Sequence, residues 1–145
     1  MPGILIVDDN ASIRLLLRVY VESKTAFTVC GEAAHGVEAI EQAKLLQPDL
    51  VIIDLSMPVL NGAEAAVVLK KAMPHIKIIL FTMHAENIGK ALATAVGIDL
   101  TLSKADGLLK LDEHLNSLLK PQTPILKSDA VEIGTPAVPK PVLPS

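Results

Sequence analysis

Short apolar runs alternate with longer amphipathic stretches over most of the chain. Ile4–Val7 and Leu50–Ile53 are uniformly apolar, as strands buried on both faces of a sheet are. Phe27–Glu32, Lys77–Thr82 and Leu100–Ser103 read as three further strands. Between them the apolar residues recur at helical spacing. Ile13, Leu16, Leu17 and Tyr20 mark one face of a helix over Ser12–Glu22, and Ala39, Ile40, Ala43 and Leu46 one over Gly36–Gln47. Ala65, Ala66 and Leu69 mark one over Gly62–Ala72, followed by a helix over Asn87–Val96 that Gly97 ends. Leu108, Leu111, Leu115 and Leu118 mark the last, Asp106–Leu119. Strand and helix thus alternate five times. That order predicts an α/β fold, a doubly wound five-stranded parallel sheet with five helices, of flavodoxin-like type. Crossovers are expected to be right-handed.

From Pro121 the pattern stops. Pro121–Ser145 holds six of the ten prolines and no aromatic residue, and shows neither period. The expected organisation is one domain over residues 1–120 and a proline-rich flexible tail over 121–145. The default for such a composition is disorder, although Pro136–Pro144 also has the make-up of a ligand for a partner. A domain of this size buries roughly two thirds of its unfolded surface and needs no disulfide or metal to hold it. The single cysteine, Cys30, cannot pair within the chain and fits a reducing, cytoplasmic setting. The apolar run Ile4–Val7 is too short to span a bilayer, so no membrane segment is expected. With a net charge of −3, no basic stripe and only Tyr20, Phe27 and Phe81 as aromatics, direct nucleic-acid binding is not expected.

Charge placement adds chemistry to this frame. Asp8 and Asp9 follow the first strand, Asp54 the third, Thr82 ends the fourth and Lys104 follows the fifth. In a doubly wound sheet these ends share one edge, where ligands bind. Each residue also has a plain structural reading. Asp9 or Asn10 can cap the first helix, Asp54 can be a turn residue, Thr82 an ordinary strand residue, and Lys104 a solvated lysine. Those readings leave three carboxylates at one edge unexplained, because like charges close together repel. A hard cation resolves this, and Mg2+ takes one or two carboxylates while keeping water. A carboxylate can also act as a nucleophile and form an acyl phosphate. A lysine can pair with phosphoryl oxygens, and a hydroxyl can donate to another.

These residues resemble the receiver domain family of bacterial two-component response regulators. The segment Ile4-Leu5-Ile6-Val7-Asp8-Asp9-Asn10 is similar to the family's first strand and acidic pair. Asp54-Leu55-Ser56-Met57-Pro58-Val59-Leu60-Asn61-Gly62 is similar to its phosphoacceptor motif. Phe81-Thr82, and Gly97-Ile98-Asp99 with Lys104, are similar to its fourth- and fifth-strand signatures. The resemblance runs from about Gly3 to Leu119. It implies that Asp54 is phosphorylated and that Mg2+ is bound by Asp9 and Asp54, by Asp8 through water, and by the backbone carbonyl of Ser56. It further implies that Thr82 and Lys104 contact the phosphoryl group. The implied donor is a sensor histidine kinase or a histidine phosphotransfer protein. Ser56 and His84 stand where the family tunes phosphoryl lifetime, and His84 also reads as a plain loop histidine. Two positions depart from the pattern: Thr101 stands where the family has an aromatic switch residue, and Ala105 where a proline often follows the lysine.

The resulting expectation is a phosphorylation-dependent switch, not an enzyme beyond its own phosphorylation and dephosphorylation. It would signal by altered binding to an unidentified protein target. By family analogy, the docking or homodimer face is formed by the Asn87–Val96 helix, the fifth strand and the last helix. A stand-alone receiver is the most economical form. The alternatives are the N-terminal receiver portion of a DNA-binding transcriptional regulator, and a small phosphatase with an Asp nucleophile. The phosphatase class needs a second acid two residues after the nucleophile, where Ser56 stands.

Overall fold

The structure is a computed structural model, and it describes residues 2–83, 90–104 and 107–119. Five strands, β1 (Gly3–Val7), β2 (Thr28–Ala33), β3 (Leu50–Ile53), β4 (Lys77–Thr82) and β5 (Leu100–Ser103), form one sheet in the order β2-β1-β3-β4-β5. Every pairing is parallel. The helices are α1 (Ala11–Lys24), α2 (Gly36–Leu46), α3 (Gly62–Ala72), α4 (Lys90–Val96) and α5 (Leu111–Leu119). The expected α/β, doubly wound five-stranded fold is therefore the observed one.

Alternate residues of the central strands feed two cores, because successive strand side chains point to opposite faces. Leu5, Val7, Val51, Ile53, Ile78 and Leu80 pack with Ala39 and Ala43 of α2 and Ala65, Ala66 and Leu69 of α3. Ile4, Ile6, Leu50, Ile52, Ile79 and Phe81 pack with Leu17 and Val21 of α1 and Leu111 and Leu115 of α5. The small alanines let α2 and α3 lie close to the sheet. Burying each Leu or Ile side chain contributes about 1.5–3 kcal/mol.

Three expectations are corrected in detail. Leu16, placed on one helix face with Ile13, Leu17 and Tyr20, is 48% exposed. The buried face of α1 is centred on Leu17 and Val21, flanked by Ile13 and Tyr20, and Leu16 lies about a quarter turn off it. The last helix does not begin as an α-helix. Gly107–Lys110 form a 3-10 turn, and the α-helix starts at Leu111. Strand β2 runs one residue later than expected and carries a bulge, since Ile4 pairs with Val29 but Leu5 with Gly31, leaving Cys30 as the extra residue. The first residues of the helix expected from Asn87, His84, the Lys104–Ala105 bond and the tail 121–145 lie outside the described residues.

Candidate functional site

Parallel pairing places the site. Val7 and Ile53 are register partners at the ends of β1 and β3, so Asp8 and Asp54 leave the sheet side by side. The ladder continues one step further: Asp54 N–H donates to Val7 O at 2.9 Å, and Asp8 N–H to Ala33 O at 3.1 Å. Both side chains are withdrawn from water, Asp8 at 1% and Asp54 at 4% exposure, while Asp9 is exposed. The three carboxylates each offer an oxygen within 4.8 Å of the others.

The far side of the cleft comes from β4 and β5. Lys104 N–H donates to the carbonyl of Thr82 at 2.8 Å, which holds the residue after β5 against the end of β4. Thr82 is itself buried. The Lys104 ammonium lies 2.7 Å from Asp8 Oδ2 and 3.4 Å from Asp54 Oδ1. Ser56 is exposed on the rim. All five positions singled out at strand ends are thus drawn to one edge of the sheet, with Ser56 beside Asp54. Thr101, by contrast, lies within β5 opposite Leu80 and is half-buried.

The loop after β3 closes tightly on Asp54. Met57 N–H and Gly62 N–H both donate to Leu55 O, at 3.2 and 3.0 Å, and Leu60 N–H donates to Pro58 O at 2.8 Å. A Cβ at Gly62 would run into the Asp54 carbonyl oxygen, so only glycine permits this approach. Val59 stands at the loop tip with φ 70° and is 95% exposed. A left-handed conformation costs a β-branched residue about 1–2 kcal/mol.

Electrostatics follow from this burial. Burial raises the Asp54 carboxyl above the ordinary carboxylate range, and the neighbouring Asp8 charge adds to the rise. The Lys104 charge and the Ser56 N–H oppose it without cancelling it. For Lys104, burial works against the charged form, but contact with Asp8 and the charges of Asp54 and Asp8 prevail and raise its pKa. Asp8 Oδ1 accepts from Asn10 N–H at 2.9 Å. Asp8 Oδ2 faces the ammonium as an ion pair, yet accepts no well-aligned hydrogen bond among the described residues. Two unit charges about 4 Å apart interact by about 4 kcal/mol at an effective dielectric of about 20. One ammonium against three carboxylates leaves an excess of negative charge in the cluster. An oxygen-only donor set of this kind fits a hard divalent cation.

Sequence reasoning missed Arg14. It sits on α1, and its Nη1 donates to the Asp8 carbonyl at 2.7 Å. An arginine six residues after an acidic strand end is a weak signal, because only the turn of α1 back over the sheet brings the two together.

A doubly wound α/β sheet with a carboxylate–lysine cleft at the carboxyl ends of its strands is the class that fold and site define. The chain belongs to the response regulator receiver domain family, whose model matches residues 4–116. It is therefore a receiver domain of a two-component response regulator. Response regulator protein VraR of Staphylococcus aureus is 36% identical over 101 residues, covering 70% of this chain and 48% of that protein. The chain thus spans about half the length of the curated relatives it matches. Response regulator TrrA of Thermotoga maritima, solved in complex with Mg(2+)-BeF, is 31% identical with a TM-score of 0.74, covering 82% of this chain and 100% of that one. Chemotaxis protein CheY4 of Vibrio cholerae is 28% identical, with a TM-score of 0.74 over 82% of this chain and 99% of that one.

Proposed function

We propose that this chain is a phosphorylation-dependent switch in which Asp54 accepts the phosphoryl group. The observation that carries this reading is the pairing of a buried Asp54 carboxylate with the Lys104 ammonium at 3.4 Å, inside a three-carboxylate cleft. An Asp54 oxygen would attack the phosphorus of a phosphohistidine. The P–N bond breaks, the imidazole leaves with the electron pair, and an acyl phosphate forms on Asp54. The donor is a sensor histidine kinase or a histidine phosphotransfer protein.

Asp8, Asp9, Asp54 and the Ser56 carbonyl would hold Mg2+, with Asp8 acting through water. When bound, the ion screens the charge of an incoming phosphoryl group against the acidic cleft. Lys104 would exchange its contact with Asp54 for a phosphoryl oxygen, and the Thr82 hydroxyl would donate to another. The work asked of the protein is positioning and charge stabilisation, which is most of phosphoryl transfer. Chemistry beyond its own phosphorylation and dephosphorylation is not part of the reading. Output would be altered binding to a protein target in the cytoplasm, through the face of α4, β5 and α5. The receiver domain is taken as residues 1–120, and 121–145 as its tail.

With Mg2+ and a small phosphodonor such as acetyl phosphate, the wild type is expected to be labelled at one acid-stable, hydroxylamine-sensitive site. Asp54→Ala should take up no label. Equal labelling of the two proteins rules the reading out.

The half-length match to VraR favours a second reading, the receiver portion of a longer transcriptional regulator. A gene whose reading frame runs past Ser145 into a helix-turn-helix would decide for it.

A further inference from the structure

Just past the end of β1, the carbonyl oxygen of Asp8 is met by Arg14 Nη1 at 2.7 Å. That carbonyl belongs to the peptide joining Asp8 to Asp9, so its direction sets how both carboxylates leave the chain. We infer that Arg14 is a positioning residue for the acidic pair, clamping the Asp8–Asp9 peptide so that both carboxylates face one cation.

The clamp is anchored on both sides. Arg14 Nε donates to Glu32 Oε1 at 3.1 Å, and Arg18 Nε donates to Glu32 Oε2 at 2.6 Å. Arg18 Nη1 reaches Glu22 Oε2 at 3.3 Å on the same helix. Glu32 lies on β2 and both arginines on α1, so the network ties α1 and β2 to the end of β1. The Arg14 side chain is only 21% exposed. A guanidinium suits this task, because its planar fork holds two acceptors at fixed angles. The Arg18 hydrogen bond, helped by Arg14, holds the Glu32 carboxyl below its usual range and so keeps the anchor ionised.

The sign of one effect separates this role from simple charge. A guanidinium beside a cation site repels the cation, so its removal on charge grounds alone would tighten Mg2+ binding. Removal of a positioning contact loosens it, and partners that orient metal ligands contribute about 10- to 100-fold in affinity. The inference rests on the reading of the acidic cleft as a Mg2+ site.

The test is an equilibrium Mg2+ titration of the full chain followed by NMR, with melting temperature recorded in parallel. Arg14→Ala is expected to weaken Mg2+ binding by about tenfold, and Arg14→Lys by less, since one ammonium can reach the carbonyl but cannot also hold Glu32. Arg18→Ala, which loses Glu32 but no contact to Asp8, should lower the melting temperature and leave affinity within about twofold. Unchanged or tighter Mg2+ binding by Arg14→Ala overturns the proposal. So does an equal loss in Arg18→Ala, which would mark general loosening. If Arg14→Ala does not fold, Arg14→Lys decides: weaker binding than wild type supports the clamp, and binding as tight as wild type overturns it. A wild type that binds no Mg2+ removes the metal reading and this proposal together, whereas wild-type Mg2+ binding that Arg14→Ala leaves unchanged removes the proposal alone.

Discussion

Asp54 is held in a state that the fold disfavours. Its carboxylate is buried beside Asp8, and that burial raises its pKa in spite of Lys104. The folded protein therefore binds a proton that the unfolded chain has already released, over the window from the ordinary value of 3.8 up to the raised one. Across that window stability falls as pH rises, and above it the cost is present in full. Asp54→Asn is thus expected to melt higher than wild type at pH 7, and the gap should close as pH drops below the ordinary carboxylate range. Equal melting temperatures at pH 7 would contradict the strain. Lys104 contributes in the opposite sense: its raised pKa stabilises the fold through neutral pH, and that contribution is lost as pH climbs above 10.5 through the folded value. At this scale the sequence was informative, because Asp8, Asp9, Asp54, Thr82 and Lys104 all follow or end segments that read as strands. Arg14 was not legible. Its contact joins a helix side chain to a strand carbonyl, and no period in the sequence encodes that distance.

Among the elements, the segment between β3 and α3 shapes the site. Asn61 and Glu64 cap α3 reciprocally, with both hydrogen bonds at 2.9 Å, an arrangement that is visible in sequence as a cap residue followed three positions later by Glu. Gly62 opens the helix against the Asp54 carbonyl. Gly62→Ala should destabilise the fold by about 1–3 kcal/mol in urea unfolding, as overpacking does, and should slow phosphodonor labelling by displacing the loop. Unaltered stability and labelling would show that the loop tolerates the shift. Strands β3, β4 and β5 and helix α3 were readable to the residue, since uniform apolar runs and glycine or proline punctuation mark their ends. The bulge at Cys30 was not, because it depends on how β2 registers against β1. Leu16 was misassigned for a related reason. Spacing alone allows two adjacent faces on α1, and the sheet selects the one led by Leu17 and Val21.

For the molecule as a whole, metal and fold are linked. A ligand that binds only the folded state stabilises it by about 1.4 kcal/mol at ten times its Kd. Mg2+ is therefore expected to raise the melting temperature, and Asp9→Ala to abolish that rise while melting higher than wild type without metal, since it removes one of three crowded carboxylates. A full Mg2+ response in Asp9→Ala would remove Asp9 from the ligand set. Thr101 bears on the same scale. It lies within β5 opposite Leu80 and offers no ring to swing inward, so in the switch proposed above any coupling from Asp54 to the α4–β5–α5 face would run through Thr82 and Lys104. The amino-acid order alone determined the alternation of strand and helix, the two-sided burial of the central strands, and which polar residues would stand at strand ends, because apolar runs and helical periods are local properties. Only the tertiary structure decided how far those residues sit from one another, how deeply Asp8 and Asp54 are withdrawn from water, and that Arg14 reaches the Asp8 carbonyl. Distance and dielectric are products of strand register and helix packing, and neither exists until the sheet has formed.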